Sequence, residues 1–307
     1  MNVTTSLTFA NLTGLTPGSM YTLQVVALAE DNVTEGDGVA ITGFTKPDVV
    51  NNLVIINITT SSLSLSWTPS NGNIGSYIVN VTGSTVMNVT TTSAFANLTG
   101  LIPGSMYTLQ VVALAQDNMT KGDAVVIAAF TKPSTVSNLN IGNSNTTSIF
   151  LSWSPPSGSA ASYRVEVTGV SVTNMTTNSA FATVTGLTPG SMYTLNVLAL
   201  AGDSVTQGDP VTITTYTKPG TVSNLYVSDI KSTSISLSWS PPGGNVASYK
   251  VVVTGATATN VTTASNFAIV TGLTQGSMYT LKVLALAGDN VTQGDAVTIT
   301  AYTSKFC

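Results

Sequence analysis

The sequence predicts an all-β chain, a tandem array of seven-stranded β-sandwiches on an 86-residue repeat. Two recurrences and one alternation predict it. Trp67, Trp153 and Trp239 stand 86 residues apart, and the segment Gly-Ser-Met-Tyr-Thr-Leu begins at Gly18, Gly104, Gly190 and Gly276 with the same interval. A fixed period of this kind marks a repeat architecture. Between these landmarks apolar and polar residues alternate with period two, and no window carries a capped helical stripe. Turn residues every ~8–12 positions and about seven short strands per unit define a sandwich.

The elements follow in chain order. Residues 1–46 match only the second half of a unit, with Met1 aligned on Met87. Half a unit has no partner sheet for its apolar face, so the chain reads either as cut from a longer array or as borrowing its missing strands from a neighbour. Complete units are expected at 47–132, 133–218 and 219–304, with no insertion between them and a tail at 305–307. Each opens where Thr-Lys-Pro ends, at Pro47, Pro133 and Pro219. Ser-Leu-Ser-Leu-Ser-Trp (62–67), Tyr-Arg-Val-Glu-Val (163–167) and Val-Thr-Ile-Thr-Ala-Tyr (297–302) alternate as strands, rich in β-branched and aromatic residues. Proline restricts the chain at each junction and leaves almost no linker, which predicts a semi-rigid rod.

Composition removes several function classes. Charged residues make up 7% of the chain, where ~25% is usual, and the net charge is −4. Nothing there attracts nucleic acid or anionic lipid. The chain contains no histidine, and its one cysteine is Cys307. The commonest general base, the commonest metal ligand, an internal disulfide and a cysteine zinc site are therefore all missing. Neither a Ser-His-Asp set nor a phosphate-cradling loop with lysine is present, so no enzyme and no cofactor is expected. No apolar run reaches the ~18–20 residues of a spanning helix, and residues 1–10 do not read as a signal peptide.

The landmarks carry a family resemblance. The tryptophans, and the run Gly-Leu-x-Pro-Gly-x-x-Tyr, as at Gly186, Leu187, Pro189, Gly190 and Tyr193, resemble the core Trp and the tyrosine corner of fibronectin type III domains. In the last unit Gln275 replaces the proline. The resemblance implies an Ig-like sandwich whose corner tyrosine hydroxyl bonds backbone across the turn. The wording of 285–295 also resembles the repeated ectodomains of receptor-type tyrosine phosphatases, without any phosphatase signature.

The most specific functional signal is the N-glycosylation sequon, Asn-x-Ser/Thr, at Asn2, Asn11, Asn32, Asn57, Asn80, Asn88, Asn97, Asn118, Asn145, Asn174, Asn260 and Asn290. Asn2, Asn88, Asn174 and Asn260 share one place in the repeat. Alternation turns Leu12 and Leu98 inward and the preceding Asn11 and Asn97 outward. Covalent glycans would shield a β-rich surface that lacks charge. Lys121, Gly122 and Asp123 resemble an integrin-type tripeptide near the loop before the last strand, although Gly-Asp recurs there as turn chemistry. Asp203 with Asp209, and Asp289 with Asp295, read as a thin calcium set or as turn residues. Leu198 and Leu200, with Val26 and Leu28, Val112 and Leu114, and Leu284 and Leu286, should face outward as a lateral contact, or lie under neighbouring strands and sugar. Cys307 reads as an intermolecular disulfide, the start of another domain, or an accident of truncation.

Together these features lead to an expected non-catalytic extracellular or cell-surface glycoprotein, a structural and adhesive rod that assembles with copies of itself or binds cell-surface proteins. The other readings are a fragment of a receptor ectodomain resembling a receptor-type tyrosine phosphatase, and a calcium or integrin binding module. No contact with nucleic acid and no membrane insertion by this segment is expected, and any export signal lies outside the sequence.

Overall fold

A computed structural model of the chain describes residues 1–305; Cys307 lies outside the described residues. The described residues are all-β, with 23 strands and no helix. The first two strands, β1 (Met20–Val25) and β2 (Val39–Phe44), form an antiparallel hairpin. The next seven are β3 (Asn51–Ile58), β4 (Ser62–Thr68), β5 (Ile74–Gly83), β6 (Met87–Thr91), β7 (Phe95–Thr99), β8 (Met106–Ala115) and β9 (Lys121–Phe130). A second set comprises β10 (Ser137–Ser144), β11 (Ser148–Ser154), β12 (Ser162–Gly169), β13 (Thr173–Thr177), β14 (Phe181–Thr185), β15 (Met192–Leu200) and β16 (Val211–Tyr216). The third comprises β17 (Ser223–Ile230), β18 (Ser234–Ser240), β19 (Ser248–Gly255), β20 (Thr259–Thr263), β21 (Phe267–Thr271), β22 (Met278–Leu286) and β23 (Val297–Tyr302).

Each set makes the same two sheets. In the first, a three-stranded sheet β3-β4-β7 faces a four-stranded sheet β6-β5-β8-β9, and the other two sets repeat this order. The seven-stranded sandwich read from the sequence is thus present three times. The chain divides into two compact units: one holds Met1–Ser134, Ser157–Ala160 and Leu200–Gly208, and the second holds Thr135–Pro156, Ala161–Ala199 and the chain from Asp209 onward.

Alternation explains the cores. Leu63, Leu65 and Trp67 of β4 point inward, and Val79 and Val81 of β5 and Leu109 and Val111 of β8 meet them. Each such side chain contributes about 1.5–3 kcal/mol on leaving water. The tryptophan packs edge-on against a tyrosine of the next strand in every copy, at 5.3 Å for Trp67–Tyr77 and Trp153–Tyr163 and 5.2 Å for Trp239–Tyr249. Such edge-to-face contacts suit the ring quadrupoles.

Of the two readings of the apolar pairs, cover by neighbouring strands fits and an open lateral contact does not. Val112, Leu114, Leu198, Leu200, Leu284 and Leu286 are all buried, none more than 8% exposed. They sit in the middle of a four-stranded sheet, where cross-strand neighbours cover them: Ile78 and Ala124 flank Val112, and Ser76 and Lys121 flank Leu114. Only Leu28, beyond the lone hairpin's first strand, stays open.

That hairpin is a two-stranded sheet by itself. Val25 is 72% exposed, whereas its counterpart Val111 is fully buried. Residues 1–13, which correspond in sequence to β6 and β7, form no strand.

Candidate functional site

The most repeated geometry lies around the turn before each β8-type strand. The N–H of Thr16, Ile102, Thr188 and Thr274 donates to the hydroxyl of Tyr21, Tyr107, Tyr193 and Tyr279, at 2.8–2.9 Å. The bond survives in the last copy although Gln275 stands where the others have proline, because the N–H comes from the residue before that position. The threonine of Thr-Lys-Pro adds a second tie: Ser105 N–H donates to Thr131 Oγ1 at 3.1 Å, and Thr131 Oγ1 donates to the Ile102 carbonyl at 2.6 Å. Thr45, Thr217 and Thr303 repeat it. The sequence signal for this threonine was its 86-residue recurrence, which reads at first as mere linker.

The same turn receives the loop of the following repeat. In the second unit the Asn245 N–H donates to the Pro189 carbonyl, and Asn245 Nδ2 donates to Ser191 Oγ, each at 2.9 Å. Within the first unit Asn73 makes the equivalent pair with Pro17 (3.0 Å) and Ser19 (2.9 Å), and the Ser159 N–H reaches the Pro103 carbonyl at 2.9 Å. Glycine is required on the loop side. Gly244 has φ +92, and a Cβ there would stand 2.6 Å from the Pro189 carbonyl oxygen; Gly158, at φ +82, would meet Pro103 in the same way. Sequence reasoning missed these Gly-Asn and Gly-Ser loops.

Four aspartates, Asp31, Asp117, Asp203 and Asp289, serve turns. Asp117 accepts the N–H groups of Met119 and Thr120 at 3.0 and 2.9 Å and the Thr120 hydroxyl at 2.7 Å. Asp31, Asp203 and Asp289 repeat the arrangement. Three donors on one carboxylate favour its charged form. The Thr34 hydroxyl, then the Thr34 and Val33 amides, hold Asp31 down at about 2. The amides of Met119 and Thr120 and the Thr120 hydroxyl lower Asp117 likewise. Among the described residues no group of three or more His, Cys, Asp or Glu is placed to hold a metal ion.

Lys121, Gly122 and Asp123 open strand β9 rather than forming a loop tip, with Lys121 opposite Leu114. Asp123 is ion-paired with Lys46, both well exposed. A Cβ on Gly122 would lie 2.9 Å from the Pro47 carbonyl oxygen, so packing against the unit's opening asks for glycine here.

The sequon asparagines fall into distinct settings. Asn88, Asn174 and Asn260 are exposed on β6, β13 and β20, the outermost strands of their sheets. Asn57 on β3 and Asn97 on β7 are exposed on the outer strands of a three-stranded sheet, and Asn97 Oδ1 accepts the Ser64 hydroxyl at 3.1 Å. Asn80 is half-buried on central β5, opposite both Asn88 and Gln110. Asn32, Asn118 and Asn290 adopt positive φ of 54–56° in the turn after the β8-type strand, a conformation asparagine tolerates. Asn118 Oδ1 also accepts the Ser76 hydroxyl at 2.6 Å. Asn145 Oδ1 accepts the amides of Thr147 and Ser148, while Asn2 and Asn11 are exposed in the strandless segment. A further set, Asn52, Asn138 and Asn224, also has positive φ and sits where β3, β10 and β17 shift register.

These sandwiches, corners and joints define a tandem-repeat β-sandwich protein built on tyrosine corners. The family profile of the fibronectin type III domain matches residues 47–125, 133–214 and 220–300, and the chain belongs to that family. It is 36% identical over 98% of its length to receptor-type tyrosine-protein phosphatase eta of Gallus gallus. It is also 33% identical over 82% of its length to receptor-type tyrosine-protein phosphatase H of Homo sapiens, and 27% identical over 97% to tenascin-R of Gallus gallus. The chain spans only 22–23% of the length of these three relatives. Among the described residues no helix is long and apolar enough to cross a membrane.

Proposed function

We propose that the chain is a non-catalytic extracellular spacer for adhesion, which holds successive fibronectin type III repeats in register and carries covalent glycans on its surface. One observation carries the reading: the turn of one repeat binds the loop of the next through the same backbone bond at Asn73, Ser159 and Asn245. Hydrogen bonds backed by opposed glycines suit a segment whose task is to set distance. Similarity to a tenascin and to receptor-type phosphatases supports placing it outside the cell, with cell-surface proteins as partners. Repeats spanning 47–132, 133–218 and 219–304 belong to the same proposal. So does the reading of residues 1–46 as the C-terminal half of a fourth repeat, which the Tyr21 corner and the Thr45–Ser19 tie support. Fibre assembly gains no support from the leucine pairs, which are buried in the complete repeats.

A second reading is favoured by identity: 36% to a receptor-type phosphatase against 27% to tenascin-R. In it the spacer is part of a receptor, and any catalysis resides in other domains. The adhesive role is tested with beads coated with the chain secreted from animal cells. They should bind cell surfaces well above beads coated with the heat-unfolded chain. Equal binding contradicts the role.

A further inference from the structure

We infer that N-linked glycans at Asn88, Asn174 and Asn260 guard one open side of each sandwich against strand addition from another copy of the chain; the inference rests on the extracellular reading above. An outermost strand presents unpaired N–H and C=O groups, and proteins block such edges with charge, proline, bulges or cover. Three of these devices are visible on other edges of this chain. Strands β3, β10 and β17 are irregular in register, with Asn52, Asn138 and Asn224 at positive φ. Strand β9 carries Lys121 and Asp123, and Pro210 precedes β16.

The side formed by β6 with β7, and by its counterparts, has none of them. Residues 87–99, 173–185 and 259–271 contain no charged residue and no proline. The pairing of β6, β13 and β20 with their inner neighbours runs without a register shift. Threonine dominates these strands, and Phe95, Phe181 and Phe267 are exposed beside them, at 44–53%. Short uncharged β-rich segments of this kind are the hazard for edge-to-edge pairing. Besides threonine, the polar residue repeated at all three is the sequon asparagine. Its side chain is exposed and makes no hydrogen bond among the described residues, unlike those of Asn118 and Asn145, and the hydroxyls of Thr90, Thr176 and Thr262 are equally free.

The modification is a non-redox group transfer. The asparagine Nδ2 forms a bond to the anomeric carbon of an oligosaccharide, and the bond from that carbon to the diphosphate of a polyprenyl diphosphate-linked donor breaks. Polyprenyl diphosphate leaves with the electron pair, and Nδ2 gives up one proton. The sugar then occupies solvent beside the strand that a second chain would have to approach.

The test secretes the whole chain from animal cells and maps sugar on each asparagine by mass spectrometry, then measures mass by light scattering against concentration. Two triple variants are compared with the parent. N88Q/N174Q/N260Q removes the sugars and leaves the edges uncharged; T90K/T176K/T262K removes the same sequons and puts lysine on each edge. We expect sugar on all three asparagines, a monomeric parent, a self-associating glutamine variant and a monomeric lysine variant. Trimming the folded parent's sugars to a single residue with an endoglycosidase should move it towards dimers without any refolding. Empty Asn88, Asn174 and Asn260 with sugar elsewhere overturns the inference and leaves the glycoprotein reading intact. No sugar anywhere overturns both. A trimmed parent and glutamine variant that stay monomeric, or a lysine variant that associates as strongly as the glutamine one, overturns the guarding role.

Discussion

At the scale of single residues, two polar groups fix the turns. The Tyr107 hydroxyl satisfies the Ile102 amide in a place where the tyrosine ring has no exposed surface. Replacing it by phenylalanine keeps the packing and strips that amide of its partner, at a cost of about 1–3 kcal/mol. Hydrogen exchange read repeat by repeat should show residues 47–132 of Tyr107→Phe opening more readily while the last repeat is unchanged. Asp31 is the clearest titrating group. Its pKa lies at about 2 when folded and near 3.9 in an unfolded chain. A depressed folded value means that its contribution to stability is complete above about pH 4 and is lost as pH falls through the folded pKa. A carbon-detected NMR titration should place the Asp31 midpoint near 2; a midpoint close to 4 would show that the Thr34 and Val33 donors do not hold it. The tyrosine corner was legible in sequence because Gly-Leu-x-Pro-Gly-x-x-Tyr is a contiguous motif. The Asp31-type turn was legible only in part: its counterparts Asp203 and Asp289 read as calcium ligands or as turn residues, and the donors that decide for the turn, two amides and a hydroxyl from the second and third residues onward, emerge only with the backbone path.

At the scale of elements, the strands were legible and their outer faces were not. Period-two alternation places Leu195 and Val197 inside, and both are buried. The same logic sent Leu198 and Leu200 to the outer face and left open whether neighbouring strands cover them; both are buried. Alternation assigns a side of the pleat, whereas exposure depends on which strands flank the residue, and that is a property of sheet order. The lone hairpin shows the dependence in reverse. Strands β1 and β2 have the apolar sequence of β8 and β9, yet Val39 and Ile41 are 75% and 67% exposed because no second sheet faces them. A two-stranded ribbon is marginal in water. Its amides should therefore exchange orders of magnitude faster than those of β8 and β9, measured by hydrogen exchange on the intact chain. Equal protection would mean that another chain covers the hairpin.

At the scale of the whole molecule, the repeat period was the strongest signal in the sequence, and the joints were the weakest. Pro47, Pro133 and Pro219 marked where units change, but the bonds that join repeats come from Gly72-Asn73, Gly158-Ser159 and Gly244-Asn245, more than 20 residues further on. Their role appears only when the loop of one repeat meets the turn of another, a pairing that no local pattern encodes. Glycine at position 244 is held at φ +92 with a carbonyl where its side chain would be, while its neighbour Gly243 faces open space. Alanine should therefore cost about 1–3 kcal/mol at 244 and almost nothing at 243. Clamping of one repeat to the next can be read from the distance between spin labels on the equivalent strands β14 and β21, in the chain carrying Thr185→Cys, Thr271→Cys and Cys307→Ser. A single narrow distance distribution is predicted, broadened by Gly244→Ala and untouched by Gly243→Ala. A broad distribution in the parent, or one indifferent to Gly244→Ala, would contradict the account.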